Sequence, residues 1–159
     1  MVSSGTAVVT LPAETQILIK REFDAPRHLV YRAYTTPELI KRWWSGDRGK
    51  VTSAEVDLRV GGKWRYVMMA NAGFEVAFHG EYREIVPNER LVTTEVFEGM
   101  PDGEALDTAT FTEVAGRTML TLLMELANRA DRDAVINSGM EAGMQEAMDH
   151  LEEIAASLR

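Results

Sequence analysis

The chain has 159 residues, the length of one domain, with 17 Lys and Arg against 25 Asp and Glu, a formal net charge of −8. That length closes a hydrophobic core without metals or disulfides, while the acidity speaks against sequence-independent binding to nucleic acid or to an anionic membrane surface, both of which need cationic side chains. With no cysteine there are no disulfides, cysteine nucleophiles or thiolate metal sites, which fits a cytoplasmic location. No apolar run approaches the roughly 20 residues of a membrane helix, and no signal segment opens the chain.

Residues 1–14 are small, polar and punctuated by proline, and are expected to form a mobile N-terminal segment, although Val8, Val9 and Leu11 have the character to lie against a domain. Residues 15–159 are expected to form a single domain. Residues 16–24 alternate, with Ile17, Ile19 and Arg21 on one side and Leu18, Lys20 and Glu22 on the other, which predicts a strand. Asp24-Ala25-Pro26 then reads as a helix start with Asp24 as N-cap, followed by the apolar stripe Leu29, Val30, Ala33 and Tyr34. Thr36-Pro37-Glu38 repeats the start signal for a second short helix carrying Leu39, Ile40 and Trp43, ended by Ser45-Gly46-Asp47.

From residue 51 the period changes to that of strands. Strands are predicted over 51–60, 63–70, 74–86, 90–98, 107–114 and 117–126, with turns at Gly61-Gly62, Asn71-Ala72-Gly73, Pro87-Asn88, 99–103 and Ala115-Gly116. Turns this short make consecutive strands antiparallel neighbours. A short turn of helix is expected over 129–137. Ser138-Gly139-Met140-Glu141 has the pattern of a capping box, and Met140, Gly143, Met144, Ala147, Leu151, Ile154, Ala155 and Leu158 then keep helical spacing. The class is α+β. A run of antiparallel strands cannot bury a face alone, and the long C-terminal helix is the element large enough to cover it. A curved sheet gripping one helix leaves a space between them, the place to seek a ligand.

Several chemistries drop out. Gly61-Gly62 lacks the third glycine and following helix of a dinucleotide loop, and neither a phosphate-binding lysine loop nor a Gly-x-Ser-x-Gly elbow is present. His79-Gly80-Glu81 resembles the start of a zinc deaminase motif that needs cysteines this chain lacks. His28, His79 and His150 are far apart, His28 and His150 on helix faces that read as surface, and no metal or cofactor is expected. His79 and Glu81 share one face of a strand. On a concave face they would serve as acid and base; on a convex face, with Glu75 and Arg83 beside them, they are solvated. Arg59, Lys63 and Arg65 surround the glycine pair, either as a carboxylate or phosphate subsite or as a solvated turn. Period 2 groups Trp64, Tyr66 and Met68 on one face, Phe74, Phe78 and Tyr82 on another, and Leu120, Leu122 and Met124 on a third. Adjacent Trp43 and Trp44 cannot both face a core from one helix.

Arg21-Glu22-Phe23-Asp24-Ala25-Pro26, Thr36-Pro37-Glu38-Leu39 with Arg42-Trp43-Trp44, the run from Val56 through Gly61-Gly62-Lys63-Trp64, the run Gly80-Glu81-Tyr82-Arg83-Glu84-Ile85-Val86-Pro87 with Glu89-Arg90-Leu91, and Gly139-Met140-Glu141-Ala142-Gly143-Met144 occur in this order. Together they resemble the SRPBCC (START-like) proteins of the activator-of-heat-shock-protein-90-ATPase homologue branch, over the chain from about residue 16 to its end. The resemblance implies a helix-grip fold, like that of the START and birch-pollen-allergen proteins, with a cavity that often takes hydrophobic small molecules. It implies no single activity, since related branches include ligand carriers, self-resistance proteins, polyketide cyclases and aromatases. The chain departs from the pattern at Met144, where the family often has tryptophan, and at Ser45-Gly46, where it often has glycine-proline.

The leading expectation is therefore binding of a hydrophobic or aromatic small molecule without turnover. Trp64, Tyr66, Met68, Phe78, Leu122 and Met124 would form the sheet wall, Met140, Met144 and Met148 the helix wall, and Trp43 or Trp44 the entrance. An alternative is a polyketide cyclase/dehydratase-like or hydrolase enzyme using His79 and Glu81 with Tyr66. A third is a protein-interaction or stress-related module, including a homodimer formed through the outer sheet face or Trp44. Nine methionines are many beside five phenylalanines, and those at 140, 144 and 148 recur along one helix face, which would make a pocket wall adaptable.

Overall fold

A computed structural model describes residues 6–159. Alternating residues build β1 (Val8–Thr10), β2 (Gln16–Phe23), β3 (Gly49–Val56), β4 (Lys63–Ala70), β5 (Glu75–Val86), β6 (Arg90–Phe97), β7 (Glu104–Val114) and β8 (Arg117–Glu125). Residues with helical spacing build α1 (Arg27–Thr35) and α2 (Pro37–Trp43) after β2, and α3 (Arg129–Asn137) and α4 (Met140–Ser157) after β8. The strands form one antiparallel eight-stranded sheet in the order β1-β2-β8-β7-β6-β5-β4-β3. Register shifts between Val51 and Ser53 on β3 and between Tyr82 and Glu84 on β5 mark bulges, which bend and twist the strands that carry them.

The inner face follows from register. Ile19 pairs with Leu122 and Arg21 with Leu120 across β2 and β8, and Phe111 pairs with Leu120 across β7 and β8. These residues, with Val30, Ala33 and Ile40 of the first two helices and Met148, Leu151, Ile154 and Ala155 of α4, form the buried core. Full burial of an aliphatic side chain such as Leu120 or Leu151 stabilises the fold by about 1.5–3 kcal/mol. Arg21 is an unusual member of this face. It is fully buried over the Phe23 ring and donates to the Met148 carbonyl at 3.0 Å, to Asp149 at 2.8 Å and to Glu152 at 3.4 Å. It ties β2 to the middle of α4.

Four local expectations change. Within the segment expected to be mobile, Val8–Thr10 pair with β2, and Ala7 is buried and bonded both ways to Gln145 of α4; residues 1–5 lie outside the described residues. Strand β3 stops at Val56, because residues 57–62 close on themselves: the Gly62 amide donates to the Arg59 carbonyl, and Gly61 has φ +83°. A Cβ on Gly62 would lie 2.1 Å from the Asp57 carbonyl oxygen, so the loop needs glycine there. Asp24 does not cap α1. Its carboxylate pairs with Arg117 at 3.1 Å, and the free Arg27 amide instead donates to Glu113 of β7 at 2.7 Å. The capping box also fails. Gly139, at φ +84°, is the N-cap of α4, and the Ser138 hydroxyl turns back to donate to the Val135 carbonyl of α3.

Candidate functional site

Between the inner face of β4–β8 and the helices α3 and α4 lies a cavity of about 590 Å³, within the size range of small-molecule sites. Trp64, Tyr66 and Phe78 line it from β4 and β5, Leu122 and Met124 from β8, and Met140, Met144 and Met148 from one face of α4. Trp43 and Trp44 both reach it, but differently. Trp43 is buried, stacks on Tyr34 and donates from Nε1 to the Ala33 carbonyl at 2.9 Å. Trp44 is half-buried and meets Tyr66 and Phe78 edge to face, at 5.4 and 5.3 Å between ring centroids. Phe78 in turn meets Phe97, which with Met100 is exposed on one side and lines the cavity on the other. The rim therefore lies at the β6–β7 loop, opposite Ser138 at the α3–α4 turn.

Gly80 makes the deep wall possible. It pairs with Trp64, whose Nε1 crosses to donate to the Thr94 carbonyl at 3.2 Å. A Cβ at residue 80 would lie 1.8 Å from that carbonyl oxygen and 2.6 Å from the indole nitrogen.

Met68 does not line the cavity. By register it pairs with Val76, which does, and so shares the face of Trp64 and Tyr66, but it is half-buried near the end of β4, past the residues that wall the cavity. Phe74 sits before β5 and is 59% exposed. His79 and Glu81 alternate with the cavity-lining Phe78 and Tyr82 and so lie on the outer face of the sheet. His79 Nδ1 is 2.8 Å from Glu98, Glu98 also holds Arg65 at 2.8 Å, and Glu81 pairs with Arg83 at 3.3 Å. Neither residue reaches the cavity, so the constellation His79, Glu81 and Tyr66 is not assembled. Arg59 and Lys63 line a shallow pocket around the glycine pair together with Glu55 and Asp57, which pairs with Arg59, whereas Arg65 is held by Glu98 and does not line it. His150 stands 3.0 Å from Asp47, and His28 is exposed.

The structure adds polar residues that the sequence reading passed over. Thr93 and Glu95 of β6 and Asp107 of β7 line the cavity, with Thr93 paired to Asp107 and Glu95 to Ala105. The Glu95 and Asp107 carboxyl groups are close enough to interact, while Asp107 Oδ1 is buried without a hydrogen-bond partner. Burial, and then the Glu95 charge, push the Asp107 carboxyl well above the usual carboxylate range. Burial raises Tyr34, Tyr66 and Tyr82 too, and the Asp107 and Glu95 charges add to the rise at Tyr34. Among the described residues that line the cavity, none is Lys, Arg or His. The signal available in the sequence was an aspartate between Ala105 and Ala109 on the same face as Phe111.

Comparison with known proteins places this architecture. The chain is similar to a solved protein of Rhodobacter sphaeroides, with 27% identity, a TM-score of 0.88, and coverage of 95% of this chain and 99% of that one. It is also similar to a Nitrosomonas europaea protein, with 25% identity, a TM-score of 0.82 and coverage of 93% and 98%. A Chromobacterium violaceum protein matches with 28% identity, a TM-score of 0.75 and coverage of 87% and 96%. A search of curated proteins finds no match. The sequence model of the family described as "Activator of Hsp90 ATPase homolog 1-like protein" matches residues 24–156, and the sheet wrapped on a C-terminal helix is the helix-grip architecture that the sequence motifs implied. The chain belongs to the activator of Hsp90 ATPase homolog 1-like family.

Proposed function

We propose that the protein binds a hydrophobic or aromatic small molecule in the cavity between the sheet and α4, without turning it over. The cavity itself carries this reading: about 590 Å³, walled by aromatic rings from the sheet and by three methionines from the helix, and reached from a rim at Phe97 and Met100. A mainly apolar wall with few polar groups is what retains an apolar ligand while orienting it. Methionine side chains repack at little cost, which favours bulky ligands of variable outline. The enzyme alternative built on His79 and Glu81 loses support, because both side chains lie outside the cavity.

Titration with Nile red, a neutral apolar dye, tests the reading. Saturable binding at one site per chain is expected, with quenching of tryptophan emission from the cavity indoles. Met144→Trp places an indole within the helix wall and is expected to weaken binding about tenfold or more by removing volume the dye occupies. Absence of saturable binding to the unmodified chain overturns the proposal.

A further inference from the structure

The cavity is acidic where it is polar. Glu95 and Asp107 are diagonal neighbours on adjacent strands whose carboxyl groups interact, with Asp107 Oδ1 buried and unpartnered. A buried carboxyl oxygen without a donor costs free energy, and none of the hydroxyl groups lining the cavity donates to this one. The titratable groups facing the pair are Tyr82 from β5, Tyr66 from β4, Tyr34 from α1 and Asp131 from α3. From β8 it meets Met124 and from α4 methionines. All are neutral or acidic, and Asp131 is already engaged with Asn128 at the start of α3. The site has acceptors to offer and no cation.

We infer that the Glu95–Asp107 pair is the recognition site for the protonated amine of an otherwise aromatic, apolar ligand. This rests on reading the cavity as a small-molecule site, and it names the ligand class. An ammonium group brings the donors that Oδ1 lacks and the charge that the two carboxyl groups oppose. The aromatic faces of the same wall, Trp64 and Tyr66 among them, offer cation–π attraction to a cationic ligand. An anionic ligand meets no counter-charge. The proton balance is simple: the incoming ammonium keeps its own protons, and any proton held between the two carboxyl groups is released to solvent as the ion pair forms.

Calorimetric titration of the full chain with naphthylethylamine, naphthylethanol and naphthylacetate at neutral pH, in two buffers of different ionisation enthalpy, separates the possibilities. The amine is expected to bind about tenfold or more tightly than the alcohol, with the carboxylate weakest, and to release protons as it binds. Asp107→Asn and, independently, Glu95→Gln are expected to bring the amine down to the affinity of the alcohol while the alcohol changes by less than about twofold. Equal affinity for amine and alcohol, tightest binding of the carboxylate, or an amine preference that survives both substitutions overturns this inference and leaves the apolar site standing. Failure of all three compounds to bind overturns the apolar site as well.

Discussion

The sheet carries two carboxylate clusters back to back, and they behave in opposite ways. On the outer face, Glu98 sits between Arg65 and His79, each at 2.8 Å, and these hydrogen bonds hold its carboxyl down at about 2. On the inner face, Asp107 sits beside Glu95 with no cation in reach, and burial pushes its carboxyl up. The chemical group is the same and the strands are neighbours. What differs is which way the alternation points each residue. Outside, water and arginine stabilise the charged form; inside, a low dielectric and a second acid stabilise the neutral one. The outer cluster is therefore a solvated surface pairing, while the inner one retains an unsatisfied acceptor.

The sharpest way to break this contrast is to alter the buried cation at the other end of the inner face. Arg21→Ala takes a cation from beside the buried Glu152 and removes the bond to the Met148 carbonyl. It is expected to destabilise the fold by about 3–5 kcal/mol, read from the urea midpoint. The next effect comes from Asp107. Its folded state keeps a proton that the unfolded chain gives up near pH 4, so stability falls as pH rises above that value toward the raised one. Asp107→Asn should flatten this fall and stabilise the protein by about 1–2 kcal/mol at pH 8, the scale of one buried unsatisfied group, while changing little at pH 4. The smallest effect belongs to the outer cluster. Glu98 contributes above its ordinary range and loses that contribution as pH falls toward 2. Because the side chains are partly exposed, Glu98→Gln should cost no more than about 1 kcal/mol at neutral pH, and roughly 0.5 M salt should erase most of that.

How far the sequence could be read varies along the chain. Period 2 and short turns placed the strands, and helical spacing placed Met140, Met144 and Met148 on one face of α4, all three against the cavity. The alternation puts Met68 on the same face as Trp64 and Tyr66, but it cannot say how far along β4 the cavity extends, and Met68 lies beyond it. Capping residues misled at Asp24 and Ser138 because long-range partners competed for them: Arg117 took the first, and the Val135 carbonyl at the end of α3 took the second. On β6 the alternation offered Val92 and Val96 as one face and Leu91, Thr93 and Glu95 as the other. Nothing local says that a face with a glutamate closes a cavity.

By itself the sequence determined the order and kind of the elements from β2 onward, the antiparallel pairing of the strands from β3 to β8 and the family. Each of these follows from residue spacing, turn chemistry or a run of motifs within one stretch of chain. Only the tertiary structure decided which face of each strand turned inward, that His79 and Glu81 lie outside, and that Glu95 and Asp107 share a buried wall. Those outcomes depend on register between strands, on two bulges and on the curvature they impose, and none of these is a property of a single segment.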